Sequence, residues 1–79
     1  MQIAGKAVEH VEKYIDVMDL HSTEIMRDMI FESLADHNRI QGEISDPLNR
    51  YEFEQVFAED VARAQAALHA CEKRMGTCN

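Results

Sequence analysis

Seven apolar residues recur in the second half of the chain, at Phe53, Phe57, Val61, Ala64, Leu68, Cys71 and Met75, in steps of four, four, three, four, three and four. Only an α-helix returns side chains to one face at that interval, so the run predicts one long amphipathic helix. The rest of the chain has few places to turn, with three glycines and one proline in 79 residues. Long helices with short connections follow, and residues 1–79 are expected to form a single all-α domain. A core this small leaves only about 3–5 kcal/mol of net stability, so helix packing must be efficient or supplemented.

From Ala4, apolar residues recur at Val8, Val11, Ile15 and Met18, widened by Ile3, Ala7 and Tyr14, with Glu9, Glu12, Lys13 and Asp16 opposite. This pattern predicts a first helix over residues 2–20. Ser22 or Thr23 reads as the cap of a second helix over 23–44. Its apolar arc holds Met26, Met29, Ile30, Leu34, Ile40 and Ile44. Gly42 weakens the end of that helix, and Pro47 disfavours continuation past Asp46. The third helix has two candidate starts: Asp46 as cap with Pro47 in the first turn, or Asn49 with Glu52 three residues on. Gly76 is the expected stop, preceded by Lys73 and Arg74 where the helix dipole favours positive charge.

The expected fold is therefore a three-helix up-down-up bundle with a long third helix. That helix should overhang the others at the end carrying Leu68, Cys71 and Met75. The overhang needs cover, and Val17, Leu20, Ile25 and Phe31 fall outside the main arcs of their helices. Self-association as a homodimer through the third helix is the expected remedy.

Fifteen Asp and Glu against eight Lys and Arg give a formal charge of -7. Direct nucleic-acid binding needs lysines and arginines to displace phosphate counterions, and is excluded on this balance. An anionic membrane leaflet repels the chain for the same reason. Charges every few residues in "MQIAGKAVEHVEK" leave no secretory signal or membrane span, so a cytoplasmic protein is the expectation. The acid is uneven: residues 1–22 carry -2, residues 23–46 carry -4, residues 47–62 carry -3, and residues 63–79 carry +2. Glu24, Asp28, Glu32 and Asp36, at four-residue intervals, make the second helix the natural docking face for a basic protein, with Phe31 as an apolar neighbour.

Ser33, His37 and Gln41 fall on the inner face of the second helix, and Asp60 on the apolar face of the third. An antiparallel hairpin turning near residue 46 would set Ser33 opposite Asp60 and His37 opposite Val56. The expected role of the cluster is a hydrogen-bonded network fixing helix register, with a polar ligand pocket as the alternative. A hydrolytic triad is not supported. The aspartate would face the serine rather than orient the histidine, and mid-helix amides cannot form an oxyanion hole.

Other site chemistries lack their signatures. No histidine has Glu or Asp three residues before it, as an inward-facing di-iron motif requires. There is no glycine-rich phosphate loop. "DVMDLHSTE" lacks the alternating oxygens and central glycine of an EF-hand calcium loop. "HACEKRMGTC" has one loose cysteine pair and no second half of a zinc site. Cys71 reads as a core residue and Cys78 as a tail thiol, in keeping with a reducing compartment. No cofactor or metal is expected. The function expected is a non-enzymatic acidic interaction protein that binds a basic partner, as an inhibitor or nucleic-acid mimic. The alternative is a binder of a small metabolite or nucleotide.

Overall fold

A computed structural model describes residues 3–76 of the chain, and the described residues are all-helical. Helix α1 spans Gly5–Tyr14, a 3-10 turn spans Ile15–Val17, α2 spans Leu20–Glu43 and α3 spans Pro47–Met75. Cys78, read above as a tail thiol, lies outside the described residues.

The first helix is shorter than its periodicity suggests. After the 3-10 turn, Met18 and Asp19 are extended, and Asp19 rather than Ser22 or Thr23 caps α2. The Asp19 carboxylate accepts the Ser22 N–H at 2.7 Å, while its carbonyl accepts the Thr23 N–H at 3.0 Å and the Thr23 hydroxyl at 2.7 Å. Those bonds hold the Asp19 carboxyl below the usual carboxylate range, the Ser22 backbone bond contributing most. Thr23 is thereby a fully buried first-turn residue instead of a cap. Across the molecule, the Arg74 guanidinium donates to the carbonyls of Asp16 and Met18 at 3.3 Å each. It satisfies groups that the end of α1 leaves without intrahelical partners. At the other end of α1, Ala4 adopts φ 50°, a left-handed conformation unusual for a residue with a Cβ. That turn lets Ile3 fold back into the core, where it is buried.

The second connection follows the first of the two starts open to the sequence. Asp46 caps α3, accepting the Leu48 N–H at 2.9 Å, with Pro47 as the first helical residue. Arg50 reaches back to the Ile44 carbonyl through Nε at 3.1 Å and Nη2 at 2.7 Å, pinning the turn. Gly76 ends α3 in the left-handed conformation, at φ 75°. Gly42 needs no such freedom, because it sits in the last turn of α2 and a Cβ there would meet nothing within 4 Å. Gly42→Ala is therefore expected to stabilise the protein by about 0.5–1 kcal/mol. Thermal unfolding should register this as a rise of roughly 4–8 °C per kcal/mol for a chain of this size. A fall in Tm would show that the end of α2 is not helical in solution.

The core draws on all three helices. Ile3, Ala7, Val8 and Val11 meet Ile30 and Leu34 of α2 and Ala64, Ala67 and Cys71 of α3, with Met26, Phe57, Val61 and Leu68 packed around them. The small residues of α3 let α1 approach closely. Arg63 then clamps α1 from outside, donating to Glu12 through both Nη2 and Nε, the latter at 3.2 Å. That guanidinium holds the Glu12 carboxyl below the usual range.

The uncovered part of the hairpin is the opposite end from the one expected. Helix α1 is about 15 Å long, against about 43 Å for α3, and the molecule measures 43 × 21 × 18 Å. Arg74 ties the connection after α1 to the end of α3, and α1 lies beside the half of α3 running from Asp60 to Met75. Cys71 is fully buried there, and Leu68 and Met75 are half-buried. The half around the α2–α3 turn has no third helix, and Leu48, Tyr51 and Val56 are exposed, Val56 to 73%.

Candidate interaction site

The acidic residues of α2 take positions set by helical geometry. Four-residue spacing winds Glu24, Asp28, Glu32 and Asp36 slowly round the helix. Glu24 is half-buried, while Asp28, Glu32 and Asp36 are exposed. Asp28 pairs with its neighbour Arg27 at 2.8 Å, and Asp36 lies 3.7 Å from Arg39, which also meets Glu43 at 3.2 Å. Glu24 and Glu32 make no ion pair among the described residues. Phe31 is 60% exposed. It lies on the face of the hairpin away from α1, over shallow hollows shared with Leu68, where Arg27, Asp28 and Glu72 mix both charge signs.

The Ser33–His37–Asp60 cluster does not close, and no side-chain hydrogen bond joins any two of the three. Ser33 lines the cleft beside Ala4 and Gly5, whereas Asp60 lines a small hollow with Ile3, Gly5, Val8 and Arg63. The segment leading into α1 thus comes between them. A register between α2 and α3 alone does not contain that third element. The register itself is close to the expected one: the Gln41 amide donates to Glu54 at 2.6 Å across the hairpin. The rotation differs. His37 faces Phe53 and Phe57 rather than Val56, with its ring stacked on Phe53 at 4.9 Å between centroids and edge-on to Phe57 at 5.3 Å.

His37 is, with Thr23, one of two buried polar residues among the described residues. It is 6% exposed and its ring makes no hydrogen bond, while among the described residues no buried polar side-chain atom is left without a partner. Its ring edge therefore still meets solvent, through a cleft of about 250 Å³ lined by Ile3, Ala4, Ser33, Asp36, Ile40 and Phe53. A second cleft of about 330 Å³ adjoins it along α2, past Met29, Glu32 and Lys6. Sequence reasoning assigned Met29 and Ile40 to the core arc, but they are 48% and 38% exposed and line these clefts. The aromatic partners of His37 were partly legible: Phe53 and Phe57 lie one turn apart on one face of α3, so an inward histidine of α2 at that level had to meet them.

Among the described residues there is no group of three or more His, Cys, Asp and Glu placed to hold a metal ion. Burial pushes the Cys71 thiol up from its ordinary range, away from the thiolate form that chemistry would use. No helix among the described residues is long and apolar enough to cross a membrane. In comparison with known proteins, no family model, curated protein or solved structure gives a significant match to this chain.

Proposed function

We propose that this protein is a non-enzymatic, cytoplasmic interaction protein that binds a basic partner protein through the acidic surface of α2 and the first half of α3. It would act as an inhibitor or as a mimic of nucleic acid. In the same reading the chain is an up-down-up bundle that pairs with a second copy through α3. The observation that carries the proposal is the row of Glu24, Asp28, Glu32 and Asp36, in which Glu24 and Glu32 have no cation partner among the described residues. Carboxylates spaced along one helix offer a basic groove a repeating negative charge, and the net charge of -7 adds long-range attraction.

A tagged full-length chain captures its partner from host lysate, and the purified pair is then titrated. Neutralising the row (Glu24→Gln, Asp28→Asn, Glu32→Gln, Asp36→Asn) is expected to weaken binding roughly 10- to 100-fold, each exposed pair being worth about 0.2–1 kcal/mol. Raising the salt should weaken wild-type binding as well. Affinity that survives 0.5 M salt and all four substitutions overturns the proposal.

The second reading, a metabolite or nucleotide binder, is favoured by one observation: His37 faces its cleft without a hydrogen-bond partner. In a thermal-shift screen run alongside, a ligand of that kind would raise the Tm of the wild type and not that of His37→Ala.

A further inference from the structure

Past the start of α1 the groove between α2 and α3 stays open beside His37, Ile40 and Phe53, and a second cleft leads into it between α1 and α2. The two clefts beside α2 share Ala4, Ser33 and Asp36, and together they run from Met29 to Ile40. Eleven residues of helix make that track about 16 Å long, or three turns. Its floor is apolar, with Met29 and Ile40 partly exposed and Phe53 half-buried beneath the His37 ring. Its rim is acidic. Glu32 and Asp36 stand along it, and Lys6 is the only lysine or arginine among the lining residues. Arg39, which does not line the clefts, approaches Asp36 only to 3.7 Å and is shared with Glu43.

We propose that this groove receives an amphipathic α-helix of the basic partner, with lysines or arginines flanking its apolar stripe. The inference rests on the reading that the partner is basic, and it adds the form in which the partner presents its charge. Apolar residues at helical spacing would cover Met29, Ile40 and the edge of Phe53, and flanking cations would meet Glu32 and Asp36. The free ring edge of His37 offers a hydrogen bond to a polar residue in the middle of the docked helix. Helix α1 demonstrates the fit, since it occupies the neighbouring stretch of the same hairpin. Charge argues against a second copy here, because each copy carries -7 and would bring further carboxylates to an acidic rim.

The probe is a synthetic peptide of about 18 residues, with leucines at i, i+3, i+4 and i+7 and lysines on either flank. Its control has the same composition with the leucines scattered round the wheel. The amphipathic peptide is expected to bind the full-length chain at least about tenfold more tightly than the control, and to gain helicity as it does. Met29→Gln combined with Ile40→Gln leaves the charge unchanged and should remove that advantage. Val17→Gln, on the distant 3-10 turn, should not alter it. Circular dichroism of each variant confirms that the fold is retained.

Equal, salt-sensitive binding of both peptides would overturn the groove while leaving the electrostatic reading standing. So would indifference to the Met29 and Ile40 substitutions. Absence of binding by either peptide overturns the helix-docking inference. A wild-type dimer that becomes monomeric in Met29→Gln/Ile40→Gln would give the groove to a second copy and likewise overturn it.

Discussion

Ile30→Ala is expected to remove about 2–5 kcal/mol of stability, as truncating a buried aliphatic residue does when its surroundings cannot collapse. Ile30 is 0% exposed and lies in the cluster where all three helices meet, between Val8 and Val11 of α1 and Ala64 and Cys71 of α3. Its fellow core residues on α3, Ala64, Ala67 and Cys71, are small, so filling the hole would require the half-buried side chains around the cluster to shift. A chain of this size holds only about 3–5 kcal/mol in reserve. The variant should therefore be largely unfolded at 37 °C, with its urea midpoint far below that of the wild type, followed by circular dichroism. A loss under about 1 kcal/mol would mean that Ile30 does not sit at the junction of the helices.

Ala64→Leu tests the same junction from the opposite direction. Ala64 is fully buried one turn from Asp60, which lines the hollow beside Gly5 and Val8, and it adjoins Arg63, which grips Glu12. A larger side chain there must push against α1. Overpacking of this kind costs about 1–3 kcal/mol. The easiest relief is to displace α1, which is ten residues long and meets the hairpin over a shorter length than α2 and α3 meet each other. Loss of α1 would expose Cys71, whose thiol is fully buried in the folded chain. In a Cys78→Ser background, a thiol reagent should label Cys71 at least about tenfold faster in Ala64→Leu than in its parent, because protection tracks the free energy of local opening. A lowered Tm with unchanged labelling would show that the strain is absorbed within the α2–α3 hairpin instead.

Both variants act where sequence periodicity was most informative. The stripe on α3 correctly placed Ala64 and Cys71 inward, and Val8, Val11, Ile30 and Leu34 lie buried on the faces their spacing assigns. The stop at Gly76 was legible as well, and the Asp46–Pro47 start of α3 was one of two the sequence left open, because caps and breakers act within a few residues. Ala67 was missed: it falls beside the large residues of the stripe, and alanine carries too little hydrophobic signal to mark a face. The α1 boundary was missed for a different reason. Residues 15–19 continue the apolar rhythm, yet Asp19 caps α2 through bonds to Ser22 and Thr23, and Arg74 holds the freed carbonyls from 56 and 58 residues away.

The candidate site divides along the same line. The acidic row on α2 is a property of spacing, and the residues lie where a helical wheel puts them. The Ser33–Asp60 pairing failed because the entry to α1 lies between the two residues. The cleft beside Ile40 is open because α1 is short and covers one half of the hairpin only, while the cleft beside Met29 lies between α1 and α2.

The sequence by itself determined that the chain is helical, where α3 stops, and that Val8, Val11, Ile30, Leu34, Ala64 and Cys71 face inward, since those follow from local capping and a 3.6-residue period. Only the tertiary structure decided which half of the hairpin α1 covers, and hence which polar and apolar residues stay open to a partner. That outcome depends on contacts between residues far apart in the chain, which no local pattern encodes.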